Sequence, residues 1–336
     1  MPFNRIFQLV ILLSILFSCQ SNHEKAEVVL KLGHQANEQD VWHRSVDYFS
    51  KVVDSLSDGQ IEVRVFHSEQ LGKELDMIRS IEAGIDDLTI SGESMQNWIE
   101  ETAFCGMPYL IRDLDHLSQV VDGPVGERIA QKMINEMGVR PLAYFARGPR
   151  HLTSNRPIKH PDDLNGMILR VPPVPISVST WEALGAKPTP MTFSEVFTSL
   201  QQKTIEGQEN PFALIYSAGF YEVQDYVNLT GHVIGWVYVI MGEARFRSLS
   251  TEHQEIILKA GRMMQEYHED EFVKQEEMLR QLLVDRGMEM INVDEEAFRK
   301  RASEAVVNNI AEPIKPMYYE IINMPKKNEK DTLPHL

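Results

Sequence analysis

Between residues 28 and 91 the apolar residues recur with a period of two, then of three to four, then of two again, and no other feature limits the fold so tightly. Val28 to His34 reads as a strand. Trp42, Val46, Phe49, Val52, Val53 and Leu56 then share one helical face, which Ser57-Asp58-Gly59 ends. Ile61 to Phe66 alternates as a second strand. Leu75, Ile78 and Ile81 mark a second helix closed by Gly84, and Leu88 to Ser91 supplies a third strand. Strand, helix, strand, helix, strand predicts an α/β fold with a parallel sheet wrapped by helices. Ligands of such sheets sit beyond the carboxyl ends of the strands, where helix N-termini and free backbone groups converge. That places His34, Gln35, Glu74 and Glu93 at a rim. A chain of 336 residues exceeds the usual domain size, so two lobes are expected.

From about residue 148 the pattern restarts around two arginines. Arg150 follows the apolar run Leu142 to Ala146, and Arg170 lies inside Met167 to Val171. A guanidinium cannot shed its charge, so in an apolar strand it must meet an anion. No acidic residue of the same strand offers itself, and the planar fork of donors suits a carboxylate. Two sources stay open: a distant Asp or Glu of this chain, or an acid from outside. Both arginines locked to chain acids away from any opening would exclude a receptor role. The surplus of 49 acidic over 33 basic residues argues against nucleic acid and anionic membranes as partners. It does not exclude a small anion, because screening over about 8 Å leaves binding to local charge.

Ile176 to Leu184 reads as a helix, Ser194 to Gln202 as another with Ser194 as its cap, and Pro211 to Phe220 as a third. Val233 to Met241 is a strand returning toward the first lobe. A helical pattern then runs from Thr251 to about Asp285, long enough at 1.5 Å per residue to span about 50 Å. Arg299 to Ile322 is a last helical region, and 326–336 a frayed tail. Arg5 followed by the apolar run Ile6 to Phe17 reads as a signal peptide, too short for a membrane span. Cys105 belongs to an apolar stretch and is expected in the core. His268, among Glu266, Glu269 and Asp270, is expected on a solvated acidic helix face. The chain carries no recognised catalytic spacing, phosphate loop or dinucleotide fingerprint, so neither cofactor nor metal is expected.

Leu169-Arg170-Val171-Pro172, the run from Pro188 to Phe197 and Gly207-Gln208-Glu209-Asn210-Pro211 closely resemble the extracytoplasmic substrate-binding proteins of tripartite ATP-independent periplasmic (TRAP) transporters, the DctP family. Phe220 to Gln224 and Leu229 to His232 add to the likeness. The resemblance implies a two-lobed periplasmic binding protein, each lobe a mixed sheet flanked by helices, with the long helix bridging both. Lobe I would comprise 27–147 plus about 233–275, and lobe II 148–232 plus about 276–325. Leu16-Phe17-Ser18-Cys19 resembles a lipoprotein cleavage box: 1–18 would be removed, Cys19 lipidated, and 19–26 left as a tether to the membrane. By the same resemblance Arg170 clamps a ligand carboxylate, and Arg150 and Asn210 complete its shell. Glu74, which follows Gln70-Leu71-Gly72, either accepts ligand hydroxyls or stabilises a helix N-terminus. Glu93, Gln35 and His34 belong to the same hydroxyl-reading end, where a second carboxylate would meet acids. His232 could donate to a hydroxyl. Trp236 could stack on a sugar face or fill the core, and Phe193 and Pro172 line the cleft. The implied function is capture of a monocarboxylate sugar acid, glucuronate or galacturonate first, then sialate or a C4-dicarboxylate, by a monomer serving TRAP membrane subunits. A ligand sensor for a membrane receptor, and an enzyme using Glu74 and His34 as base and acid, are the other readings.

Overall fold

The computed structural model describes residues 26–325; the expected leader, Cys19, the tether before residue 26 and the tail from Lys326 lie outside them. The chain opens with β1 (Val28–Gly33), α1 (Val41–Leu56), β2 (Ile61–Phe66), α2 (Glu74–Glu82) and β3 (Leu88–Ser91). β1 pairs in parallel with both β2 and β3, as the alternating periods predict. α1 starts where the Asp40 carboxylate accepts the Trp42 N–H, and buries Trp42, Val46, Phe49, Val52 and Val53. It stops where Asp58 and Gly59 take φ of 50° and 80°. After α3 (Leu114–Val121) and α4 (Pro124–Lys132) comes the long strand β4 (Val139–Ser154). Cys105 is buried in the core, in a short 3₁₀ segment ahead of α3.

The next elements are β5 (Ile168–Val171), α5 (Pro175–Ala183), β6 (Lys187–Pro190), α6 (Val196–Gln201), β7 (Gly207–Asn210) and α7 (Phe212–Ser217). Thr192, rather than Ser194, opens the turn before α6, because Thr192 and Glu195 form a reciprocal capping box. The strand expected at Val233 begins earlier, as β8 (Tyr226–Gly242), since Tyr226 to Asn228 pair with both β4 and β9 (Glu289–Ile291). The strands form one sheet in the order β2-β1-β3-β8-β4-β7-β5-β6, with β9 beside β8. β4 and β8 are its antiparallel spine: β3 pairs with residues 238–241 of β8, and β7 with residues 151–154 of β4. The register of that spine shifts between Arg147 and Arg150 and again between Arg150 and Leu152, around Pro149, which has no N–H to give.

Behind the spine run α8 (Glu243–Ser248) and α9 (Thr251–Asp285), the latter over the full length expected. Ser250 caps α9 through the His253 N–H. Its Ile257, Ala260 and Met264 join the core around Phe49 and Phe145, whereas Leu279 and Leu283 join a second core around Phe212 and Phe220. His268 corrects the expectation of a solvated face: it is 1% exposed and stacks on Phe145 at 4.1 Å between ring centroids. The final helical region divides into α10 (Glu295–Asn309), begun by Asp294, and α11 (Lys315–Ile322), separated by Pro313.

Candidate functional site

A cavity of about 150 Å³ opens beyond the carboxyl ends of β3 and β5 and beside the middle of β4. β4 contributes Arg147 and Arg150, β5 contributes Arg170 and the following Pro172, and β7 ends in Asn210. Gln35, Glu74, Glu93 and Phe193 complete the expected residues that reach its wall. Three others do not. Trp236 is fully buried in the core with Phe104 and Cys105; strand alternation turns its neighbour Val237 to the cavity instead. His34 is fully buried, its Nε2 3.2 Å from His43 Nδ1, and burial, reinforced by His43 and His67, pulls its pKa down to about 3. A Glu74–His34 acid–base pair is therefore not assembled. His232 stands behind the wall and contacts Glu209 rather than the cavity.

The three arginines differ in what they meet. Arg150 closes a fork on Glu209, with Nε and Nη2 on its carboxylate and Nη2 also 2.8 Å from its carbonyl oxygen. His232 Nε2 donates to the same carboxylate at 2.9 Å, and Thr230 Oγ1 lies 2.8 Å from His232 Nδ1. Burial opposes ionisation of Glu209, but Arg150 and His232 outweigh it and hold the carboxyl well below the usual range. Of the two sources left open for the anion at Arg150, the chain supplies it: Glu209 of the neighbouring strand β7, beside Asn210. Glu209 leaves Arg150 Nη1 facing Glu93 Oε1 at 3.9 Å.

Arg147, which the sequence did not single out, places Nη1 3.3 Å from both Glu93 oxygens. Burial works against the Glu93 charge, and Arg147 and Arg150 together overcome it, lowering its pKa. Arg170 is the exception. Its Nε and Nη2 both donate to the Met191 carbonyl, at 3.0 and 2.7 Å, and among the described residues no carboxylate lies within 4.0 Å of it. Burial pulls its pKa down to about 10, leaving it charged at neutral pH, with Nη1 unengaged among the described residues.

Around these cations the wall is polar and fixed. Asn210 Nδ2 donates to Gln208 Oε1 at 2.6 Å, Gln208 Nε2 to Thr153 Oγ1 at 2.9 Å, and Thr153 Oγ1 to Gln224 Oε1 at 3.1 Å, so the amide keeps one N–H free. Glu74, the first residue of α2, accepts from Ser91 Oγ at 2.6 Å, and burial, then the nearby Glu93 charge, raises its pKa. At the mouth Lys73 Nζ pairs with Glu195 at 3.0 Å. Among the described residues no His/Cys/Asp/Glu group could hold a metal ion, and no helix is long and apolar enough to cross a membrane. Arg147 escaped notice because residues three apart on a regular strand face opposite ways; the register shifts around Pro149 bring it and Arg150 to one cavity. Glu209 stood in plain view beside Asn210, but only the β4–β7 register shows what it meets.

The sequence profile of bacterial extracellular solute-binding proteins, family 7 (DctP), matches residues 32–313. Solute-binding protein RD1_1052 of Roseobacter denitrificans is 48% identical over 291 residues, covering 87% of this chain and 90% of that one. The crystal structure of that TRAP periplasmic solute-binding protein, with bound L-galactonate, superposes with a TM-score of 0.87 at 47% identity, covering 89% of this chain and 99% of that one. The sialic acid-binding periplasmic protein SiaP of Vibrio cholerae is 31% identical, covering 86% and 91% of the two chains. A TRAP periplasmic solute-binding protein of Xanthobacter autotrophicus with bound β-D-galacturonate gives a TM-score of 0.84 at 26% identity, covering 88% and 100%.

Proposed function

Because the chain belongs to the bacterial extracellular solute-binding proteins of family 7, the DctP family of TRAP systems, we propose that it captures a monocarboxylate sugar acid outside the cytoplasm and delivers it to TRAP membrane subunits. One observation carries this reading: Arg170 is a buried cation in a cavity wall with no carboxylate partner among the described residues, whereas Arg150 and Arg147 are neutralised by Glu209 and Glu93. The cavity has room for one more negative charge. A ligand carboxylate would meet Arg170 Nη1, the free N–H of Asn210 and Arg150 Nη1, and hydroxyls would meet Glu74 and Gln35. A second carboxylate at that far end would meet Glu74, which disfavours C4-dicarboxylates.

Among sugar acids we place an open-chain aldonate first, because the protein solved with L-galactonate is 47% identical and the one solved with β-D-galacturonate 26%. Uronates, favoured from the sequence, come second. The lobes would divide as 27–147 with about 233–275, and 148–232 with about 276–325, hinged where the β4–β8 register shifts. Lipidation at Cys19 would hold the receptor at the membrane surface, and mass spectrometry of the membrane-extracted protein tests it. The central test is calorimetric titration of L-galactonate and galacturonate against the chain, Arg170→Ala and Arg170→Lys. Loss of one partner of a buried charge pair costs roughly 2–5 kcal/mol, or on the order of 30- to several-thousand-fold in affinity. Arg170→Lys should also bind more weakly, since a point charge does not reproduce the planar donor edge. Unchanged affinity in Arg170→Ala discards the assignment.

A further inference from the structure

Arg147 and Glu93 face each other in the cavity wall without making the bond their chemistry allows. A guanidinium and a carboxylate at full strength form two parallel hydrogen bonds of about 2.7–2.9 Å. Arg150 and Glu209 make such a fork. Arg147 instead presents a single nitrogen, Nη1, at 3.3 Å to both Glu93 oxygens, and its buried Nε has no partner among the described residues. Both residues are buried, at 7% and 8% exposure, so water does little to make up the difference. The surroundings hold them in place. The Arg147 guanidinium carbon sits 5.6 Å from the Trp42 ring centre, and the Glu93 stem packs so closely on Gly106 that an added Cβ there would come within 3.0–3.1 Å of it.

The pair also has a definite position along the site. Glu93 Oε1 is 3.9 Å from Arg150 Nη1, the nitrogen that Glu209 leaves free. It therefore adjoins the end of the cavity where the ligand carboxylate is read. A donor and an acceptor side by side, neither fully used, suit a hydroxyl, which accepts from the guanidinium and donates to the carboxylate at once. A carbonyl oxygen at that point would satisfy Arg147 and leave Glu93 facing a lone pair; a methylene would satisfy neither. Building on the sugar-acid reading, we infer that the Arg147–Glu93 pair is the specificity element that recognises the hydroxyl next to the ligand's carboxylate, so that the chain selects 2-hydroxy acids over their 2-deoxy and 2-keto counterparts.

The test is the ratio of affinities for L-galactonate and its 2-deoxy analogue, measured by calorimetry on the full chain and on two variants. The unaltered chain should prefer L-galactonate by roughly 10- to 100-fold, the scale of a hydrogen bond to charged groups. Arg147→Met combined with Glu93→Leu removes both charges together, a replacement that buried ion pairs commonly tolerate, and should bring the ratio to within about threefold of unity. Arg147→Lys, which keeps the charge, secures the test should the paired variant not fold, and should reduce the ratio several-fold. A ratio preserved in either folded variant, or near unity in the unaltered chain, overturns the inference while leaving sugar-acid binding in place. Binding of neither L-galactonate nor galacturonate by the unaltered chain overturns the underlying reading as well.

Discussion

Glu209→Gln isolates the charge that anchors Arg150. The side chain is 2% exposed and accepts from two nitrogens of Arg150 and from His232 Nε2, so the amide keeps the shape but loses the charge and one of the two accepting oxygens. Arg150 would then be a buried cation whose nearest remaining carboxylate is Glu93, 3.9 Å from Nη1 and already shared with Arg147. Removing one partner of a buried pair costs about 3–5 kcal/mol. The amide oxygen still accepts one bond and Glu93 still screens, so the lower end, about 3 kcal/mol, is expected. At about 2 °C per kcal/mol for a chain of this size, the unfolding midpoint should fall by about 6 °C at neutral pH. The pH dependence has a sign of its own. A carboxylate whose pKa is depressed by folding contributes stability that is fully present above its unfolded value, about 4.3, and lost as the pH falls toward the folded value. The parent should therefore lose more stability than the variant when acidified below about pH 4. Thermal unfolding at neutral and acid pH measures both effects. A neutral-pH midpoint within about 2 °C of the parent, or equal acid losses, refutes the account of Glu209 as a charge anchor.

Further outcomes follow from other positions. Gly235→Ala would place a Cβ 2.2 Å from the Cys105 carbonyl oxygen, a backbone atom that cannot swing away, so destabilisation of about 3 kcal/mol is expected in denaturant titration. Glu276 of α9 lies against Gly148 with Oε1 unpartnered among the described residues, and burial pushes its pKa up to about 7. Between about pH 4.5 and 7 the folded chain holds that proton while the unfolded chain releases it, so stability falls as pH rises through this window, by on the order of 2 kcal/mol. Glu276→Gln should flatten that slope, and identical slopes in parent and variant would count against the burial. L-galactonate at a hundred times its dissociation constant should raise stability by about 2.7 kcal/mol, visible as a thermal shift of about 5 °C that succinate does not reproduce.

Local patterns carried most of the fold. The strand and helix of Val28 to Leu56 were legible because each buries a face set by its own period, and α9 because its apolar positions persist along its length. Long-range pairing was not legible. Arg150 and Glu209 stand 59 residues apart and meet only through the register of two strands, so the arginine could be singled out while its counter-ion could not. His268 shows the same limit on a helix: acidic neighbours in sequence point elsewhere around the axis and say nothing of Phe145 beneath it. Trp236 was ambiguous because an aromatic on a strand near a cleft serves the core as readily as a ligand, and one residue of alternation decides between them.

The sheet's two longest strands, 16 and 17 residues, run without interruption from one group of neighbours to the other. Expressing either half of this protein alone would mean severing both ribbons, leaving two cut strand ends in the middle of each half's sheet. Circular permutation within a surface turn leaves those ribbons whole, and so offers protein engineers a safer route to new termini than dissection at the proposed lobe boundary.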